Sequence, residues 1–304
     1  MAERIPFHEG DIVTRKSYGG DLFFRVMRVE CYACGEGTAT LKGVNVRLLA
    51  DAPLSDLRLA DEHALIDLKR KMMRESGEHL RQVRMRRLNE EQARSKRNRK
   101  RTRGGSLADD LFEVPGKVLH LDGDTDYLKD CMKYYRDLGV PAVGKHVEPK
   151  DQPEHVTSLL MEYSPDVLVL TGHDALKKKS SDRTSVESYW NSGSYIEAVR
   201  RARYFEMDRD SLVIIAGACQ SFYEALIEAG ANFASSPDRV LIHCYDPVLI
   251  AEKVVHTPVD EIVRVEDAIE NTITKRAGIG GLETRGKLRA SMPKTATGLF
   301  GTKP

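Results

Sequence analysis

From residue 116 onward, short apolar runs alternate with longer amphipathic ones, and this alternation leaves the chain few ways to fold. KVLHLDGD, VPAVGKHV, DVLVLTGHD and LVIIAGAC each read as a strand. TDYLKDCMKYYRDLG, EHVTSLLMEYSPD, the stretch from Tyr195 to Met207, and SFYEALIEAG read as helices between and after them. A short strand at VLIHC and helices over PVLIAEKVV and VDEIVRVEDAIENTITKR follow. Strand–helix alternation predicts an α/β fold with a mostly parallel sheet flanked by helices. In such sheets reactive residues gather beyond the carboxyl ends of the strands.

The chain before residue 116 is organised differently. GDIVTRKSYGGDLFFRVMRVE alternates apolar and polar residues around Tyr18-Gly19-Gly20, a hairpin signal, and TATLKGV and VRLLADAP complete a small SH3-like or KOW-like β-barrel over residues 1–58. Such barrels serve many functions, so the barrel alone assigns none. Residues 59–115 read as a basic helical linker that loses order toward Gly104 and Gly105. Between Lys69 and Arg103, 15 Lys and Arg face 4 Glu, a net of +11, which leaves −10 for the rest of a chain whose total is +1. The α/β domain spans 116–277, and a Gly-, Lys- and Arg-rich tail, expected to be flexible, covers 278–304.

Three strands of the α/β domain end on reactive residues: Asp122 and Asp124 after VLHL, His173 after VLVLTG, and Cys219 after LVIIAGA. If the sheet is parallel, all of these lie along one edge. A cysteine nucleophile needs a thiolate and a proton carrier. Cys219 is expected at the start of a helix from Gln220, where backbone N–H groups lower a thiol pKa. His173 can take the proton and return it to the leaving amine. The backbone N–H groups of Cys219 and of Asp174 are the candidate oxyanion donors. No metal or organic cofactor is needed for this chemistry.

The paired strand ends resemble those of caspase-, gingipain- and clostripain-like peptidases, in which one apolar strand ends on His-Gly and the next on Ala-Cys. Residue 174 is Asp where those enzymes have Gly, and the cysteine lies in GACQS rather than the caspase signature. Longer stretches resemble the YabG family of sporulation-specific proteases of spore-forming Firmicutes: GDIVTRKSYGGDLFFRV, VLHLDGD, PDVLVLTGHDAL, NSGSYIEAVRRAR and IIAGACQSFYEALIEAGANFASSP. That resemblance implies a caspase-like fold and a cysteine endopeptidase of the sporulating mother cell, acting on proteins of the spore coat and cortex region. It implies cleavage after Arg or other basic residues through a thioester acyl-enzyme, with the catalytic pair on His173 and Cys219. An arginine pocket needs a carboxylate. Asp122 and Asp124 are the candidates, Asp122 the nearer to its strand. An enzyme of that specificity would find a self-cleavage site in SKRNRKRTR.

Each residue also has a plainer reading. Cys219 can be a small core residue under a helix, His173 a hydrogen-bonded loop residue, and LDGDTD a turn or helix cap. CYAC, with Cys31 and Cys34, lacks the second ligand pair of a zinc site and reads as part of a β-turn. Cys131 falls on a helix and reads as core. His243 and Cys244 are strand neighbours that point to opposite faces and cannot form a dyad. The rival functions are a nucleic-acid-binding or scaffold protein using the barrel and basic tract, and another thiol amidase or acyltransferase. Scarcity of aromatic residues in the tract argues against the first. No apolar run is long enough for a membrane span, and the opening MAERIPFHEGD lacks a signal-peptide pattern. Five irregularly spaced cysteines point to a reducing compartment rather than a disulfide framework.

Overall fold

The computed structural model describes residues 7–20, 22–31, 37–44, 46–101, 112–177 and 182–291. Five strands come first: β1 (Ile12–Arg15), β2 (Phe23–Cys31), β3 (Gly37–Gly43), β4 (Leu49–Pro53) and β5 (Leu57–Leu59). They form one antiparallel sheet in the order β4-β3-β2-β1-β5. The expected hairpin is present: β1 pairs with β2, Ile12 opposite Arg25, and Gly19 and Gly20 turn the chain at φ 67 and 82. Val13, Phe24, Val26, Ala39, Leu41, Ala52 and Leu57 fill the core of this unit. Cys34 lies outside the described residues.

A single helix follows, α1 (Glu62–Arg101). The sequence predicts a linker here, but its middle is docked on the α/β domain. Val83 is buried in the main core. Arg86 and Arg87 close on the fully buried Glu252 at 2.6 and 2.5 Å, and Glu90 meets Lys253 at 2.7 Å. Part of the basic charge therefore serves as an internal clamp. Residues 102–111, with Gly104 and Gly105, lie outside the described residues.

The remaining elements are β6 (Phe112–Val114), β7 (Val118–Asp122), α2 (Thr125–Asp137), β8 (Ala142–His146), α3 (Gln152–Tyr163), β9 (Val167–Thr171), α4 (Ser192–Phe205), β10 (Val213–Ala216), α5 (Tyr223–Ala229), β11 (Phe233–Ser235) and α6 (Asp246–His256). They are followed by β12 (Ile262–Val263), α7 (Val265–Glu270), α8 (Lys275–Gly278), β13 (Ile279–Gly281), β14 (Thr284–Arg285) and β15 (Arg289–Ser291). The main sheet runs β13-β11-β10-β9-β7-β8. All its pairings are parallel except β11 with β13. The fold is thus α/β, with a mixed, mostly parallel sheet flanked by helices and an antiparallel sheet at the N-terminus, consistent with a caspase-like arrangement.

Strand periodicity decides which helix each side chain meets. Val118, Val167, Val169, Val213 and Ile215 face α2 and α6, whereas Leu119, Leu121, Leu168, Leu170, Ile214 and Ala216 face α3, α4 and α5. Each of these Val, Leu and Ile side chains, taken out of water, contributes about 1.5–3 kcal/mol. Cys131 belongs to the α2–α6 layer, as the sequence predicts. Three local expectations differ. VLIHC forms no strand; His243 makes only an isolated bridge, to Val46. The stretch read as one helix from Val259 breaks into β12, α7 and α8. The expected tail supplies β13 at the sheet edge, and β14 and β15 beyond it, up to Ser291.

Candidate active site

Strand order changes direction between β7 and β9, each of which also carries the chain onward to one side, and a crevice opens beyond such a switch point. Asp122, at the end of β7, lies opposite Thr171, at the end of β9. On the other side of β9, Leu170 pairs with Ala216 of β10. His173 and Cys219 leave their strands the same number of positions beyond that pair. The four sequence candidates therefore share one sheet edge.

Both exits depend on glycine. Gly172 has φ 154, and a Cβ there would lie 2.7 Å from the Tyr195 hydroxyl. Gly217 has φ 104, and a Cβ would lie 2.9 Å from Leu226. Cys219 then sits in a turn, not at a helix start. The helix behind it, α5, begins at Tyr223, because Ser221 holds the intervening residues by accepting the Ala218 N–H at 2.9 Å. The expected helix-dipole activation of Cys219 is absent from this arrangement.

The thiol of Cys219 is fully buried, and its Sγ accepts the Ile242 N–H at 3.2 Å. Burial pushes it up to about 12, against the opposing pull of backbone hydrogen bonds from Ile242 and Arg47. In this arrangement the group is a neutral thiol. Alkylation of Cys219 by iodoacetamide is therefore expected to lag far behind a model thiol near pH 8 and to rise about tenfold per pH unit toward about 12. Quantifying the alkylated peptide by mass spectrometry across pH checks this. A plateau near the ordinary value of 9.0 would contradict it.

His173 has one engaged nitrogen and one unengaged one. Nε2 meets Asp124 Oδ2 at 2.8 Å, while buried Nδ1 has no hydrogen-bond partner among the described residues. The ring lies 5.7 Å from that of Tyr127, and the His173 carbonyl accepts from Asn191 Nδ2 at 2.8 Å. Asp124 also caps α2, its Oδ1 accepting the N–H groups of Asp126 and Tyr127, and it receives Lys42 Nζ at 2.7 Å. Burial alone would raise its carboxyl; the hydrogen bonds from His173 and Lys42 hold it well below the ordinary range. Both Asp124 oxygens are thus engaged, by His173, by Lys42 and by the first turn of α2.

Asp122 is fully buried and faces Arg47, with contacts of 3.0 Å (Nη1 to Oδ1) and 2.7 Å (Nη2 to Oδ2). Burial would raise this carboxyl too, but the Arg47 charge and the contact with His120 hold it well below the usual range. Asp174 is a buried anchor. Its carboxylate accepts from the N–H groups of Ala175 and Asn191 at 2.9 and 2.8 Å, and from Ser192 and Ser221 Oγ at 2.5 and 2.9 Å. The backbone N–H groups of Asp174 and Cys219 make no hydrogen bond among the described residues.

Arg47, Lys42 and Tyr127 are the site residues that sequence reasoning missed. Lys42 comes from β3 and Arg47 from the connection between β3 and β4, and nothing in NVRLL or TLKGV marks them. Among the described residues, His120, Asp122 and Cys131 form a group whose ligating atoms lie within 4.8 Å of one another. The Arg47 guanidinium already stands there, with Nη2 3.5 Å from Cys131 Sγ. A fixed positive charge among the ligands does not suit a metal ion.

Comparison with known proteins identifies the family of the chain. The profile of the family described as YabG peptidase U57 matches residues 8–293. The chain is 43% identical over 298 residues to the sporulation-specific protease YabG of Bacillus subtilis (strain 168), an alignment covering 95% of this chain and 99% of that relative. No solved structure gives a significant match.

Proposed function

Because the chain belongs to the YabG peptidase U57 family, and is thus a sporulation-associated peptidase, we propose that its chemistry is that of a cysteine endopeptidase with Cys219 as nucleophile and His173 as proton carrier. The observation that carries this reading is the state of His173 beside the strand that bears Cys219. Asp124 occupies Nε2 at 2.8 Å and so directs the imidazole proton there, leaving Nδ1 as a base without a partner.

In this reading the Cys219 thiol gives its proton to His173 and attacks the scissile carbonyl. Negative charge collects on the carbonyl oxygen, within reach of the unengaged N–H groups of Cys219 and Asp174. His173 returns the proton to the departing amine, and water then hydrolyses the thioester. Asp124 is a positioning residue that steadies the imidazolium. The pairing of Asp122 with an arginine side chain supports a preference for Arg on the acyl side of the cleaved bond. Natural substrates are then basic segments of spore coat and cortex-region proteins, met in the mother-cell cytoplasm around the forming spore. Among the described residues no helix is long and apolar enough to cross a membrane.

Two peptide amides that differ only in Arg against citrulline test the reading. A buried carboxylate loses its charge partner with citrulline, so the Arg substrate is expected to be cut about 10³-fold faster or more. Equal rates, or cleavage undiminished after exhaustive thiol alkylation, would remove it. In the same incubation, self-cleavage within SKRNRKRTR predicts fragments ending on Arg or Lys between residues 95 and 103; an intact tract beside a fully cut Arg substrate would count against it.

A further inference from the structure

Arg47 reaches out of its own sheet. It lies in the connection from β3 to β4, yet its guanidinium is fully buried at the switch point of the other sheet, on Asp122. The backbone on either side follows it in. Val46 bridges antiparallel to His243, and Arg47 N–H points to the Ile242 carbonyl at 3.5 Å. The Tyr127 hydroxyl donates to the Val46 carbonyl at 2.6 Å, and Lys42 Nζ holds Asp124 and Asp126 at 2.7 and 2.9 Å. Ile242, which this segment contacts, is the residue hydrogen-bonded to Cys219 Sγ.

Backbone bridged to a neighbouring segment, with one side chain sunk into a pocket, resembles the way peptide-binding sites hold peptides. Stability alone gives little reason for the arrangement, because a buried ion pair roughly breaks even against an apolar replacement. We propose that Val46 and Arg47, anchored by Lys42, are a built-in occupant of the peptide-binding groove, with Arg47 seated in the arginine pocket formed by Asp122, and that they keep Cys219 closed until displaced. This rests on the peptidase reading and adds its regulation. Access to the thiol is gated by the N-terminal sheet, and the chain's own sequence KGVNVRL is a template for what the groove accepts.

The test reads thiol access without requiring turnover. Full-length wild type and Arg47→Ala are pulsed with iodoacetamide, and modification of Cys219 is followed by mass spectrometry. Hydrogen exchange in α3 and α4, on the opposite face of the sheet, monitors global loosening. Arg47→Ala is expected to be alkylated at Cys219 at least about tenfold faster with α3 and α4 exchange unchanged. Excess synthetic KGVNVRL should restore protection, and KGVNVAL should not. Where Arg47→Ala fails to fold because Asp122 is left buried and unpaired, Arg47→Ala combined with Asp122→Asn removes both charges and carries the same expectation for alkylation. An unchanged rate, a rise matched by exchange in α3 and α4, or equal protection by both peptides would overturn the proposal. Faster alkylation of Arg47→Ala, in which Asp122 is kept, without any cleavage of Arg substrates would leave the seating intact and remove the peptidase chemistry instead.

Discussion

Replacing Cys219 with Ala is expected to lower cleavage of an Arg-amide peptide by about 10⁴–10⁶-fold, and His173→Ala by a similar factor, because residues that act as one unit fail together. Asp124→Asn is expected to cost about 10²–10⁴-fold, since the amide can hold the ring but offers His173 Nε2 no anion. The double variant of Cys219 and His173 should be no worse than either single one. Neither single change is expected to unfold the chain. Cys219→Ala removes one sulfur from a packed site, and His173 is partly exposed at 14%. Circular dichroism and a melting curve beside each assay verify this. Full activity in a folded Cys219→Ala protein would end the assignment.

The largest effect on stability is expected at Asp174. Its carboxylate gathers two backbone N–H groups and two serine hydroxyls from the β9 exit loop, the start of α4 and the turn behind Cys219. Burial raises its carboxyl above the ordinary value, with the hydrogen bonds from Ser192, Asn191 and Ser221 only partly offsetting this. Asp174→Ala would strand those donors in a buried site and is expected to cost about 3–5 kcal/mol. Asp174→Asn is expected to be milder, because the Ser192 and Ser221 hydroxyls can rotate to accept from the amide. Urea midpoints of the two variants measure this. A loss below about 1 kcal/mol for Asp174→Ala would mean that water replaces the carboxylate and that the loops do not depend on it. Through these contacts Asp174 ties the two loops of the site together.

Much of this site was legible because parallel strands announce their ends. VLHLD, VLVLT and VIIA are apolar runs whose exits could be read directly, and they place Asp122, His173 and Cys219 on one edge. Less legible was anything that depended on where polar atoms settle. The helix expected from Gln220 begins at Tyr223, because the Ser221 hydroxyl engages the Ala218 N–H and shapes the turn. That Asp124 caps α2 and meets Nε2 of His173, while Asp122 faces Arg47, could not be read from LDGD. Basic charge in α1 read as solvated linker, yet Arg86 and Arg87 converge on Glu252, a residue of α6 with no local signal of burial.

Periodicity and apolar run length are local properties, so the amino-acid order by itself determined the layers, the parallel sheet and the residues at its rim. Which carboxylate meets histidine, which meets arginine, and what covers the thiol are contacts between segments far apart in the chain. Only the tertiary structure decided them: Arg47 and Asp122 become partners because packing excludes water around both, and no spacing in the sequence encodes that meeting.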